Sequence, residues 1–68
     1  MKLSARTILK GTIVSVTKRQ TTAHVHLDVN GTAVMASITN EAVDALKLAK
    51  GMAAYAVIKA SDVMVAVD

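Results

Sequence analysis

Hydrophobic and polar positions alternate along most of the chain, and the period changes only once. From Leu9 to Lys18 the residues are largely β-branched, and Val14 and Val16 alternate with Ser15 and Thr17, which predicts a strand. A polar turn, Arg19-Gln20-Thr21, leads into a second alternating segment. There Ala23, Val25, Leu27 and Val29 share one face while His24, His26 and Asp28 share the other, the pattern of a half-buried strand. Asn30-Gly31 supplies a residue pair that tolerates positive φ in a tight hairpin, so Thr32 to Ile38 is expected to return as a third strand.

The period then lengthens. Thr39 or Asn40 can cap a short helix, with Glu41 and Asp44 in or near its first turn and Ala42, Val43 and Leu46 spaced for one apolar face. Lys47 and Lys50 suit its C-terminal side, and Gly51 breaks the pattern. Two further strands are expected over Met52 to Lys59 and Asp62 to Val67, joined by a tight Ala60-Ser61 connection. The predicted architecture is therefore all-β: a five-stranded OB-like barrel with one short helix between strands 3 and 4, closed so that no edge is left exposed. No internal repeat, linker or low-complexity tract divides the sequence, and residues 1–68 read as a single domain.

Size and composition add a constraint. A domain of 68 residues buries a limited core, and this one has no cysteine for disulfides and only two histidines toward a structural zinc site. Oligomerisation is the stabiliser that remains, and a hydrophobic content of 53%, mostly small Ala and Val, is more than one copy can hide, so subunit interfaces are expected. The polar opening Met1-Lys2-Leu3-Ser4 and the lack of any run long enough to span a bilayer predict a cytoplasmic protein with no membrane partner. A formal net charge of +3 favours anionic partners. Tyr55 is the only aromatic residue, so the stacking platform of single-strand nucleic-acid binders is missing, and nucleic acid becomes the secondary reading.

The two ends carry matching candidate chemistry. Ser4-Ala5-Arg6-Thr7, followed by Lys10-Gly11, and Lys59-Ala60-Ser61 each set a cation beside small hydroxyl residues. Charge, directional hydroxyl donors and room for backbone N–H groups to approach together describe a pocket for a compact oxyanion, provided the fold or a neighbouring copy brings the two ends together. A lone Lys or Arg is ordinarily a solvated charge, and it is the small polar surroundings that single out Arg6 and Lys59 ahead of Lys10. His24 and His26 would project from one face of a strand, but two ligands make an incomplete site and no metal centre is predicted. Met35, Met52 and Met64 read as core or interface filling, and Tyr55 as a packed residue. Without a cysteine nucleophile, a glycine-rich phosphate loop or a paired-carboxylate arrangement, catalysis has no support, and a non-enzymatic binder is expected.

These residues also carry a resemblance. The run from Ser4-Ala5-Arg6-Thr7 through Leu9-Lys10-Gly11 is similar to the opening Ser-Ala-Arg-Asn-x-Leu-Lys-Gly of the molbindins, the small molybdenum-pterin-binding (Mop) proteins. Val57-Ile58-Lys59-Ala60-Ser61-Asp62-Val63-Met64 resembles their closing motif, and the similarity extends over essentially the whole chain. It implies an OB-like domain that binds molybdate or tungstate between the subunits of a hexamer, a trimer of dimers, for molybdenum storage or homeostasis. Ser4, Ala5, Arg6 and Thr7 of one subunit would meet Lys59, Ala60 and Ser61 of another. Thr7 stands where the family usually has Asn, which replaces an amide with a shorter hydroxyl donor. No aromatic cradle for a pterin is present, so no organic cofactor is expected. The competing readings are a basic OB-like module for nucleic acid and a structural interaction domain whose anion site is vestigial.

Overall fold

The structure is a computed structural model that describes residues 7–68. Strands β1 (Thr7–Lys18), β2 (Thr22–Val29) and β3 (Thr32–Thr39) are followed by helix α1 (Asn40–Leu46), strand β4 (Ala53–Ile58) and a 3₁₀ turn over Ala60–Asp62. All pairings are antiparallel and the sheet order is β3-β2-β1-β4. The β2–β3 hairpin turns on Asn30 and Gly31, both at positive φ, as that dipeptide requires.

Strand β1 serves two partners. Its first half, Thr7 to Thr12, pairs with β4, and its second half, Thr12 to Lys18, pairs with β2. A register shift between Ile13 and Ser15 makes Val14 an extra residue, a β-bulge that bends the strand from one partner toward the other. The bulge also corrects the expected alternation. Val14 and Val16 do not share a face: Ile13 and Val16 turn inward, while Val14 remains 39% exposed. The core of Ile13, Ala23, Val25, Leu27 and Val43 lies under this bend.

Helix α1 covers one end of the core through Val43. Of the two candidate caps, Thr39 performs the role, its hydroxyl accepting from the Ala42 N–H at 3.0 Å. Asn40 instead ties the helix to the β1–β2 turn by donating to the carbonyls of Arg19 at 2.8 Å and Gln20 at 3.3 Å. An exposed ion pair joins Lys18 to Asp44. The helix stops before Gly51, because Lys47 takes a left-handed conformation and the Leu48 N–H returns to the Val43 carbonyl. Leu46, expected on the apolar face, borders the uncovered inner side of the sheet with Leu48 and is exposed there. Gly51 and Met52 then exchange backbone hydrogen bonds with Ile13, which seats the approach to β4 against the bulge.

The fifth strand expected over Asp62–Val67 is not formed among the described residues, and the four-stranded sheet keeps β3 and β4 as open edges. Val63 has extended backbone, yet a strand needs a hydrogen-bonding neighbour and none is offered among the described residues. Met64, Val65 and Val67 stay about nine-tenths exposed. The inner face is correspondingly open as a groove of about 590 Å³, lined by Ile13, Leu27, Val34, Ile38, Leu48 and Ala54 among others. Tyr55, expected to be packed, is half exposed on the outer side of β4.

Candidate functional site

The β1–β4 register brings together what the sequence separates by half a hundred positions. Thr7 is the Cα partner of Ile58, so the end of the N-terminal motif lies across the strand pair from the residue that precedes Lys59. Ser4, Ala5 and Arg6 lie outside the described residues. Lys59 is extended at the exit of β4, and Ala60 and Ser61 form the turn that follows.

That turn is short because small residues let the backbone fold tightly. The Asp62 N–H donates to the Lys59 carbonyl at 3.0 Å and the Val63 N–H to the Ala60 carbonyl at 3.2 Å. Lys59, Ala60 and Ser61 are all exposed, and Thr7 is half-buried. No hydrogen bond among the described residues engages the Lys59 ammonium or the hydroxyls of Thr7 and Ser61. One chain thus presents a cation and two hydroxyls, with no partner among the described residues, at one end of the β1–β4 pair. Donors of this kind suit one side of a pocket for an anion that accepts at every oxygen.

Lys10, singled out with the N-terminal motif, goes elsewhere. With Gly11, Thr12, Asp28, Asn30 and Ala53 it lines a polar cleft of about 270 Å³ beside the β2–β3 turn. Asp28 places a carboxylate among these donors, so this cleft is not an all-donor pocket. The sequence reading did not gather this cleft. The pairing of Thr12 with Asp28 creates it, and the hairpin position of Asn30 was the one signal for it. Gly11 has a packing reason for its identity: a Cβ there would stand 2.6 Å from the Asp28 carbonyl oxygen and 2.9 Å from Val29 Cγ2. Among the described residues no group of three His, Cys, Asp or Glu is placed to hold a metal ion, and no helix is long and apolar enough to cross a membrane.

Comparison with known proteins gives a consistent result. The model of the TOBE domain matches residues 3–65. The "Probable molybdenum-pterin-binding protein" of Haemophilus influenzae is 46% identical over 69 residues, with each chain covered in full. The solved molybdate-binding protein of Sporomusa ovata superposes with a TM-score of 0.94 at 33% identity, covering 97% of this chain and 98% of that one. The cytoplasmic molybdate-binding protein ModG, solved with molybdate bound, gives a TM-score of 0.88 at 43% identity over 94% of this chain and 46% of its own. The OB-like class expected from the element order agrees with these neighbours. The chain belongs to the TOBE domain family, in its molbindin (Mop) branch, a family of binding proteins and not of enzymes.

Proposed function

We propose that this protein is a cytoplasmic, non-catalytic binder of molybdate or tungstate that serves in molybdenum storage and homeostasis. The observation that supports the reading is the Thr7–Ile58 pairing, which puts the end of the N-terminal motif and the Lys59–Ser61 turn at the same end of the sheet, so that an interface formed at that end can bring the first motif of one subunit to the second of another. The molybdate named for its relatives is the ligand that suits such donors. A pocket of donors prefers a fully deprotonated dianion, because a protonated phosphate would turn a donor toward a donor at a cost of about 1–3 kcal/mol. Sulfate passes the charge test and is rejected by size, since a smaller ion leaves buried donors unpaired in a rigid pocket.

The working unit is a homo-oligomer, a hexamer built as a trimer of dimers, with the sites between subunits. Ser4, Ala5, Arg6 and Thr7 of one subunit and Lys59, Ala60 and Ser61 of another surround the ion. Two apolar segments flanking the turn support this assembly. Ala53–Ile58 contains no polar residue although it is an edge strand, and Val63–Val67 is apolar and exposed. Strands of that composition belong where both faces are covered.

Calorimetric titration with molybdate, with sulfate and phosphate as controls, tests the reading on a sample whose mass is fixed by light scattering. Micromolar or tighter binding of molybdate with weak sulfate is expected, and Lys59→Ala should weaken it at least tenfold, about 1.4 kcal/mol. An intact oligomer that ignores both molybdate and tungstate would overturn it.

A further inference from the structure

The outer face of β2 carries chemistry that oxyanion binding does not use. His24 and His26 lie two residues apart, so both imidazoles leave the same side of the strand, with Cα atoms about 7 Å from each other. Strand β3 sets Met35 directly opposite His26 and Ser37 opposite His24. Strand β1 sets Ser15 and Thr17 opposite the same two histidines on the other flank. Met35, expected to fill a core or an interface, is 62% exposed in the single chain, where it stands opposite His26 and also borders the apolar groove. No hydrogen bond among the described residues engages either imidazole, so their ring nitrogens are available to a ligand.

We propose that His24, His26 and Met35 form a binding site for a soft monovalent metal ion, Cu(I), held by two imidazole nitrogens and one thioether sulfur. Directly opposed residues such as His26 and Met35 have Cβ atoms about 4.5–5.5 Å apart, and the diagonal from Met35 to His24 is about 7–8 Å. At those spacings, imidazole arms from positions two apart on one strand and a methionine with three rotatable bonds on the next are long enough to reach one point above the sheet. Thioether sulfur is a soft ligand that selects Cu(I), whereas Zn(II) sites want four ligands drawn from thiolate, imidazole and carboxylate. Met35 is therefore the residue that turns an incomplete histidine pair into a three-coordinate site. This face is distinct from the Thr7–Lys59 end, because Thr7 pairs only with β4 and the β1–β2 register begins at Thr12.

The test is an anaerobic titration of the full chain with Cu(I) in competition with a colorimetric Cu(I) chelator of known affinity, with Zn(II) in a parallel series. One Cu(I) bound per chain is expected. Met35→Leu, which keeps the volume and removes the sulfur, should weaken Cu(I) at least tenfold and leave Zn(II) binding and the circular dichroism spectrum unchanged. His26→Gln should weaken it further. Failure to draw Cu(I) from the chelator, or a Met35→Leu variant that binds Cu(I) as the parent does, would overturn the proposal and reduce the pair to ordinary surface histidines.

Discussion

Gly11→Ala tests the geometry where β1 passes over the end of β2. The added methyl group would meet the Asp28 carbonyl oxygen at 2.6 Å, Val29 Cγ2 at 2.9 Å and the Asp28 carbonyl carbon at 3.2 Å. Non-bonded carbons rest at roughly 3.5–4.0 Å, so the two strands must separate by several tenths of an ångström. The Val29 side chain can rotate away, but the Asp28 backbone is fixed on both sides, opposite Thr12 on β1 and Ala33 on β3. Overpacking of this kind costs about 1–3 kcal/mol. The reduced freedom of alanine in the unfolded chain offsets some of this, about 0.4–1 kcal/mol. The two terms leave a net loss of about 0–2.6 kcal/mol, and its midpoint of about 1.3 kcal/mol corresponds to a fall in Tm of roughly 5–10 °C for a domain of this size. Thermal unfolding followed by circular dichroism reads this directly, at matched protein concentrations because an oligomer's Tm depends on them. A variant that melts within about 2 °C of the parent would mean that β1 and β2 do not approach as described.

Lys47→Gly should act in the opposite direction. Lys47 ends α1 at φ 53° and ψ 43°, a conformation glycine adopts without a Cβ penalty, so a gain of about 0.5–1 kcal/mol and a Tm higher by a few degrees are expected. An unchanged or lower Tm would show that the lysine stem contributes more than its backbone strain costs. Val65→Asp probes the exposed C-terminal segment. In an isolated chain a substitution at so exposed a position moves stability by no more than about 0.5 kcal/mol, whereas burial against a second copy makes it break the assembly. Light scattering decides between these, and an oligomer of undiminished mass would refute the proposed seating.

Much of the fold was legible because its signals are local. The β2–β3 hairpin follows from alternation on both sides of Asn30-Gly31 and is found there, and the start of α1 follows from Thr39-Asn40, of which the structure makes Thr39 the cap. The bulge at Val14 was not, because Ile13, Val14 and Val16 are all β-branched and either phase of the alternation suits the composition. The phase is settled by β2, whose Leu27 and Val25 face Ile13 and Val16. Tyr55 shows the same limit: within an all-apolar strand no pattern says which face is inward. The fifth strand marks a different one. Its residues have the right character, but a strand is a relation between two segments, and this segment has no pairing neighbour among the described residues. For the candidate site, residue types named Lys59–Ser61 and Thr7, while only the β1–β4 register could show that they share one end of the sheet. Lys10 looked like part of that group because it is close in sequence, but successive residues of a strand point to opposite faces and diverge with distance along it.

The incomplete parts of the single chain meet at one place, and this links the proposed ligand to the proposed assembly. The Lys59–Ser61 turn lies between an all-apolar edge strand and an all-apolar exposed segment, next to an open groove of about 590 Å³. An uncovered edge of that kind invites indiscriminate pairing, and β4 carries no Lys, Glu or Pro to discourage it. Specific coverage by a second copy removes the hazard, and it also fixes the turn, which no side chain of its own subunit restrains among the described residues. An oxyanion bound across that junction recognises the assembled state alone. Its binding energy therefore adds to the assembly, by about 2.7 kcal/mol at a ligand concentration one hundred times Kd. In this scheme the small five-residue core need only bring Thr7 and Lys59 to one end of a sheet, while rigidity of the pocket comes from the neighbouring subunit.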